Sequence, residues 1–238
     1  MAATGNVTAA VLAGGAGTRL RAVVADRPKP LAMVAGRPFL EYVLDQISAV
    51  RPARIVICTG YGADQVRAAI GPSWRGIEVT YSQETSALGT GGALANAAPL
   101  LDTDTVLAMN GDSYCDTPFG PFLESHCARS SEATLMLARV PDVARYGAVT
   151  LDPDDRITGF REKGQAAEGW INAGVYLLSR DRIASIPGSR AVSLEHEMFP
   201  QWIDPGLYGY RCDARFIDIG VPEDFRAAQE FFRNHPQP

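Results

Sequence analysis

The sequence predicts an α/β protein: a mostly parallel sheet covered by helices on both faces, with a partly antiparallel extension in its second half. Three observations carry this. Short apolar runs alternate with segments of helical spacing from the N-terminus to about residue 110. The first of those runs feeds a glycine loop, and the carboxyl ends of parallel strands are where open α/β sheets bind ligands. From Ala133 onward strand-like runs follow one another with little helix between them.

In chain order, Val7, Val11 and Leu12 make a buried strand that runs into Gly14-Gly15-Ala16-Gly17-Thr18-Arg19. Glycines let the backbone turn sharply and bring several amides close to an anion, so the loop suits a phosphate, with Arg19 and Lys29 adding fixed positive charge. A plain strand-to-helix turn would use the same glycines. The loop is not a Walker A sequence, and Leu20 stands where a dinucleotide fingerprint needs its third glycine. Pro38 to Val50 is a helix by the spacing of Phe39, Tyr42, Val43, Ile47 and Val50, with Pro38 in its first turn. Arg54 to Thr59 is a strand, Gly62 to Ile70 a helix, Ile77 to Ser82 a strand, and Gly91 to Leu101 a helix closed near Pro99. Thr105 to Met109 is a strand ending at Asn110-Gly111-Asp112.

In the extension, ATLMLARV, YGAVTLD, RITGF and WINAGVYLL read as strands that wall one side of a pocket. Helical signals return at Asp181 to Ile186 and Ser193 to Trp202. A strand pair then leads through Phe216-Ile217-Asp218-Ile219-Gly220 to a helix from Pro222 to about Phe232, and NHPQP is a loose tail. No repeat or linker divides the chain, so residues 1–238 are expected to form a single domain. Within it, 1–132 hold the alternating half with the glycine loop, 133–215 the strand-rich extension, and 216–238 Asp218 and the last helix.

The 238 residues have 46% hydrophobic and 21% charged side chains, ordinary for a globular protein, and a net charge of −5. That balance argues against nucleic acid or an anionic membrane as the main partner, so phosphate chemistry must use locally placed cations. No stretch has the length of a membrane span and no basic leader precedes the first strand, so a cytoplasmic protein is expected. Cys58, Cys115, Cys127 and Cys212 are widely spaced, which indicates neither a zinc site nor a disulfide framework.

Asp112 and Asp218 each end an apolar run beside glycine, so one pocket can hold both, and paired carboxylates suit Mg²⁺, which takes one or two of them plus phosphates and waters. Either aspartate alone would equally shape a turn or cap a helix. Glu162-Lys163 offers a charge for a phosphate and an acceptor for sugar hydroxyls, or an ordinary exposed pair in a turn. Asn172, beside Ala173 and Gly174 in an apolar strand, suggests close approach of a ligand to the backbone, or a buried, satisfied amide.

LAGGAGTRL (12–20), Pro28-Lys29-Pro30-Leu31, Leu88-Gly89-Thr90, Asn110-Gly111-Asp112, Tyr146-Gly147, Glu162-Lys163, Asn172-Ala173-Gly174 and Asp218-Ile219-Gly220 stand in the order found in sugar-1-phosphate nucleotidyltransferases, which the chain resembles over nearly its whole length. LGTGGA, NGDSY, RYGAVTLD, SLEHEMFP and FIDIGVPEDF make it look most like the D-glycero-D-manno-heptose 1-phosphate guanylyltransferases. The resemblance implies a Rossmann-like three-layer α/β/α fold, Mg²⁺ dependence, and transfer of GMP from GTP to a heptose 1-phosphate, or a 6-deoxy variant, for surface glycan synthesis. It implies Arg19, Lys29, Asp112 and Asp218 as catalytic residues, with Mg²⁺ on the two aspartates. Leu12, Ala13, Gly14, Gly15, Gly17, Thr18, Arg19, Glu84, Gly89, Thr90 and Asp112 would bind the nucleotide, and Gly147, Glu162, Lys163 and Asn172 the sugar phosphate. Val221 departs from the pattern, which often has Thr there.

Base choice has a physical argument. Glu84 stands where thymidylyl relatives carry Gln, and a carboxylate can only accept, which matches the adjacent N1–H and 2-amino donors of guanine. A solvated surface Glu is the plain alternative. Mannose-1-phosphate guanylyl, thymidylyl and uridylyl transfer remain open within the enzyme class. A non-catalytic nucleotide-sugar sensor would be favoured by loss of Arg19, Lys29, Asp112 or Asp218, all of which are present, and a nicotinamide-dependent dehydrogenase is disfavoured by the missing glycine. Assembly into a homo-oligomer is left open.

Overall fold

In the computed structural model, which describes residues 7–15, 17–20, 23–24, 26–162, 164 and 166–233, the first apolar run forms strand β1 (Val7–Ala13). A 3-10 turn at Lys29–Leu31 and a small hairpin of β2 (Met33–Val34) and β3 (Arg37–Pro38) lead to helix α1 (Phe39–Ser48). The alternation continues with β4 (Arg54–Thr59), α2 (Ala63–Ile70), β5 (Ser73–Trp74), β6 (Ile77–Gln83), α3 (Gly89–Ala97) and β7 (Thr105–Asn110). The second half runs β8 (Ser113–Cys115), α4 (Phe119–Ala128), β9 (Ala133–Val140), β10 (Ala148–Leu151), β11 (Ile157–Arg161) and β12 (Gly169–Ser179). It closes with α5 (Arg180–Ala184), a π-helical turn (Leu194–Met198), α6 (Phe199–Gly206), β13 (Leu207–Cys212), β14 (Phe216–Asp218) and α7 (Pro222–Arg233).

Strands β7, β1, β4 and β6 are parallel neighbours at the centre of the main sheet, whose order is β11-β10-β12-β7-β1-β4-β6-β5. β12 runs antiparallel to β7, β9 pairs antiparallel with β12, and β13 lies parallel to β9. The fold is thus α/β with a mixed, mostly parallel sheet. Period-two alternation divides the core: Val7, Ala9, Val11 and Ala13 pack on one face with Phe39, Val43, Ile47 and Phe232, while Ala10 packs on the other with Leu94 and Phe199. The crossovers through α1 and α2 step outward from β1 to β4 and β6, and the next, through α3, returns to place β7 on β1's opposite side. That reversal opens a crevice at the carboxyl ends of β1 and β7.

Several boundaries differ from the sequence expectation. Pro38 is extended (φ −54°, ψ 135°) and precedes α1 instead of lying in its first turn. α3 begins at Gly89, two residues early, because Gly89 supplies a φ of +72° at the turn. α4 was not foreseen: Gly120 and Pro121 hide it, yet both sit in the first turn, where a missing N–H does no harm. Ser193 to Trp202 is a π-helical turn followed by α6. β13 and β14 do not pair with each other: one joins β9, the other β8. The tail 234–238 lies outside the described residues. Cys58, Cys115 and Cys212 are buried and Cys127 is exposed, all as free thiols. No helix among the described residues is long and apolar enough to cross a membrane.

His126 on α4 gives the fold a pH dependence. It is 3% exposed, and its Nδ1 meets Thr134 Oγ1 at 2.8 Å while that hydroxyl donates to Ser131 Oγ. The neutral ring therefore donates, and burial pushes its pKa down from 6.5 to about 4. Stability from this site is complete above pH 6.5, the unfolded-chain value, and is lost as pH falls through about 4. Urea unfolding between pH 7 and 4 should show a loss of up to about 3 kcal/mol that His126→Gln largely abolishes; an unchanged slope in the variant would remove His126 as its source.

Candidate active site

Register aligns the ends of the parallel strands. Ala13 pairs with Thr59 and Thr59 with Gln83, so Gly14, Gly60 and Glu84 follow side by side. The Glu84 N–H donates to Thr59 O (2.8 Å), and its Oε2 accepts from the Leu88 N–H (3.2 Å). Oε1 reaches back across the two glycines, 2.5 and 2.7 Å from where a Cβ on Gly60 or Gly14 would stand; at Gly60 that Cβ would also lie 2.7 Å from Gly14 O, so this position excludes a side chain. On the other side Leu12 O accepts from the Gly111 N–H (2.9 Å), which carries Asp112 to the mouth of the crevice.

Two cavities meet there. The larger, about 780 Å³, is lined by Leu12, Gly14, Gly15, Gly60, Tyr61, Glu84, Gly89, Thr90, Asn110 and Asp112, among others. The smaller, about 220 Å³, is lined by Leu12, Ala13, Gly15, Gly17, Thr18, Arg19, Lys29, Pro30, Asp112 and Gly220. Leu12, Gly15 and Asp112 belong to both. The first has the size of a small-molecule site, and the second is a short cationic annex beside it.

Asp112 and Asp218, 106 positions apart in sequence, are brought together by the short β8–β14 pair. Asp218 stands opposite Ser113, and the Ile219 N–H donates to Asp112 O (2.9 Å). Lys29 joins them, with Nζ 2.5 Å from Asp112 Oδ2 and 3.9 Å from Asp218 Oδ1. The lysine is held by its flanks: Pro28 and Pro30 frame its 3-10 turn, and its Cβ lies 2.9 Å from where a Cβ on Gly17 would be. Gly17 has φ +58°, so glycine fits there on both counts. Burial first, then the Asp112 charge, pushes the Asp218 carboxyl up to about 6 against the pull of Lys29.

Two partly buried carboxylates competing for one ammonium fit a hard divalent cation, which would relieve their repulsion. No group of three or more His, Cys, Asp or Glu side chains able to hold a metal occurs among the described residues. The remaining ligands would have to come from substrate phosphates and water.

The residues expected to face the sugar lie elsewhere: neither cavity has Gly147, Glu162 or Asn172 in its lining. Gly147 turns at φ +83°, and its N–H donates to Val143 O (2.9 Å). Glu162 follows β11 and is exposed. Lys163 lies outside the described residues. Asn172 sits at an irregularity of β12, where Asn172 pairs with Leu137 and Tyr176 with Leu135, so three residues on β12 lie opposite one on β9. Gly60, Tyr61 and Asn110 were not expected at the site. The signal for the first two was available, since TGYG follows a strand parallel to and beside β1.

The match to the nucleotidyl transferase family extends over residues 8–235. The chain is 39% identical over 228 residues to a mannose-1-phosphate guanylyltransferase of Mycobacterium tuberculosis, covering 94% of this chain and 64% of that protein's length. It is 34% identical over 228 residues to a D-glycero-alpha-D-manno-heptose 1-phosphate guanylyltransferase of Aneurinibacillus thermoaerophilus, covering 95% of this chain and 99% of that one. The crystal structure of HddC from Yersinia pseudotuberculosis complexed with GMP-PN superposes with a TM-score of 0.84 at 34% identity, over 95% of this chain and 99% of the other. Agreement of this extent, reaching from β1 through the strand that carries Asp218 into α7, goes beyond a shared sheet: the chain belongs to the nucleotidyl transferase family and is a nucleotidyltransferase.

Proposed function

We propose that the chain transfers GMP from GTP to the phosphate of a manno-configured sugar 1-phosphate, with D-glycero-D-manno-heptose 1-phosphate as its substrate, releasing pyrophosphate. The observation that carries this is Asp112, which lines both cavities and is tied through Lys29 to Asp218. The nucleoside would occupy the larger cavity and its β and γ phosphates the smaller. Residues 1–132 serve the nucleotide and 133–215 the sugar. The relatives named above support guanylyl transfer, and both of their sugars are manno-configured in name. Mannose 1-phosphate is the second reading, favoured by the 39% identity to the mycobacterial protein.

A sugar-phosphate oxygen attacks the α-phosphorus in line; the new P–O bond forms as the bond to the β-phosphate oxygen breaks, so catalysis is positioning and charge stabilisation. Arg19 and the amides of Gly14, Gly15 and Gly17, with Thr18, hold the β and γ phosphates. Lys29 meets charge developing at the α-phosphate, from a position fixed by Gly17 and Asp112. Asp112 and Asp218 would hold Mg²⁺, which supplies positive charge shared by the two reacting phosphates. Lys163 anchors the sugar phosphate, and Gly147, Glu162 and Asn172 face the sugar.

Glu84 reads the base from the floor of the larger cavity. Gln in its place keeps the size and the acceptor for Leu88, and changes only the edge offered to guanine. Loss of one charge-assisted bond, about 1.5–3 kcal/mol, should lower the preference for GTP over UTP about ten- to 150-fold in Glu84→Gln. An unchanged ratio of kcat/KM values would remove the argument for guanine. Pyrophosphate release, crossing GTP, ATP, CTP, UTP and dTTP with the heptose, mannose and glucose 1-phosphates, tests the whole reading. Release confined to GTP with the heptose is expected; release with mannose 1-phosphate selects the second reading, and none with any pair sinks both.

A further inference from the structure

A polar chain runs from the sugar side of the molecule to the nucleotide side through one carboxylate. It begins at Asn172. Its Oδ1 accepts from the Gly174 N–H (2.8 Å), and its Nδ2 donates to the Tyr176 hydroxyl (3.1 Å). Tyr176 is fully buried, and its hydroxyl donates to Glu195 Oε1 (3.3 Å). The other oxygen of Glu195 accepts from Thr90 Oγ1 (2.7 Å) and Ser193 Oγ (2.9 Å). Thr90 in turn accepts from the Leu194 N–H (2.9 Å).

Every link has one sense of donation. A carboxylate can only accept, so Glu195 obliges Tyr176 to point its proton away from Asn172, and Tyr176 then has only lone pairs to offer the amide. Burial and the Glu195 charge raise the phenol well above its usual range, which keeps that proton in place. The orientation of the Asn172 carboxamide is thereby set from both ends, its oxygen by Gly174 and its nitrogen by Tyr176. The nucleotide end is tied in the same way. Thr90 is the second residue of α3 and lines the larger cavity. The segment before Glu195 straps that helix start, with Val192 O accepting from the Gly91 and Gly92 N–H groups (2.9 and 3.2 Å) and the Val192 N–H donating to Leu88 O (2.8 Å). Glu195 itself lies in the π-helical turn, a departure from regular helix that often marks a functional position.

We propose that Glu195 is a positioning residue for both substrates: its carboxylate fixes the Asn172 carboxamide through the Tyr176 hydroxyl, and the first turn of α3 through the Thr90 hydroxyl. The proposal rests on the reading of Asn172 as a sugar-facing residue. Glu195 acts through other side chains and is placed in contact with neither substrate.

Tyr176→Phe keeps the ring packed on Phe199 (centroids 4.9 Å apart) and deletes only the link. It should lower kcat/KM for the sugar 1-phosphate about tenfold and leave the KM for GTP within about twofold. The decisive measurement is the double-mutant cycle with Asn172→Ala, in which Tyr176→Phe should cost less than about twofold, because the group it positions is gone. An equal loss in both backgrounds would overturn the proposal and leave the sugar-side reading standing. No loss from Asn172→Ala would overturn that reading and the proposal with it. Should Tyr176→Phe fold poorly, Glu195 reads the same links. Glu195→Ala should raise the KM for both substrates, while Glu195→Gln, which still offers an acceptor to Tyr176, should restore the sugar-phosphate KM to within about threefold of wild type; equal losses in the two variants would refute it.

Discussion

Asp112→Asn is expected to lower kcat/KM on the order of a thousandfold, about 4 kcal/mol of transition-state stabilisation. The variant should still fold. The carboxamide is nearly the same size, and the backbone bonds that place residue 112 (Gly111 N–H to Leu12 O, Ile219 N–H to Asp112 O) do not involve the side chain. Lys29 loses its 2.5 Å partner but keeps Asp218 at 3.9 Å, so no buried cation is left alone. The fall in Tm should be only about 2–4 °C, the effect of roughly 1 kcal/mol in a chain of this size. Under the proposed metal role function would depend on more than Lys29, because a divalent cation held by the two carboxylates would lose a charged ligand, Asn offering one neutral oxygen in its place. A second readout is independent of turnover. The Asp218 carboxyl is pushed up to about 6 partly by the Asp112 charge, so in the metal-free variant its titration, followed by NMR, should move to lower pH. Near-normal pyrophosphate release at limiting Mg²⁺ would refute the metal assignment, and an unmoved Asp218 titration would show that the two carboxylates do not sense each other.

The parts of this site that were legible before folding are those in which one residue type serves one purpose. Gly14, Gly15 and Gly17 follow an apolar strand, and that order alone points to a glycine loop at the strand's carboxyl end, where these residues line the two cavities. Asp112 and Asp218 were recognisable as strand-end carboxylates for the same reason. What joins them was not: β8 and β14 have three residues each, too few for any period, and they pair beneath α7, whose Phe232 packs on Phe39, Tyr42 and Tyr114. Lys29 was expected as a phosphate ligand, but its place between the two aspartates depends on that same pairing. Glu84 was read through its hydrogen-bonding chemistry, yet its packing across Gly14 and Gly60 depends on the register of three strands. α4 was missed because Gly120 and Pro121 mask a helix that His126 and Phe122 anchor from its far side. In each case the hidden term is a long-range contact, which composition and spacing along the chain do not encode.

Gly174→Ala should be strongly destabilising. A Cβ there would stand 2.6 Å from Ser113 Oγ and 2.7 Å from Asn110 Nδ2, and the backbone is at φ +73°. Positive φ costs an alanine about 1–2 kcal/mol, and overpacking adds roughly 1–3 kcal/mol where neighbours cannot retreat. Here they are the ends of two short side chains, so any retreat is a rotation of Ser113 or Asn110. Asn110 ends β7 and Ser113 begins β8, so both short side chains hang from backbone that also carries Asp112. Gly174 moreover donates its N–H to Asn172 Oδ1, so a shift that relieves the clash also turns the Asn172 amide. The expected result is a Tm lower by about 10 °C, the scale of 2–5 kcal/mol in a chain of this length, together with a fall in kcat/KM for the sugar phosphate. Gly15→Ala is the matched contrast. Nothing lies within 4 Å of its added Cβ, yet Gly15 lines both cavities. It should therefore leave the Tm within about 2 °C and, on the proposed phosphate placement, lower kcat/KM for the nucleotide about tenfold. Equal Tm values for the two variants would mean that the β12 irregularity yields to a methyl group, and that Asn172 is held by something other than the turn at Gly174.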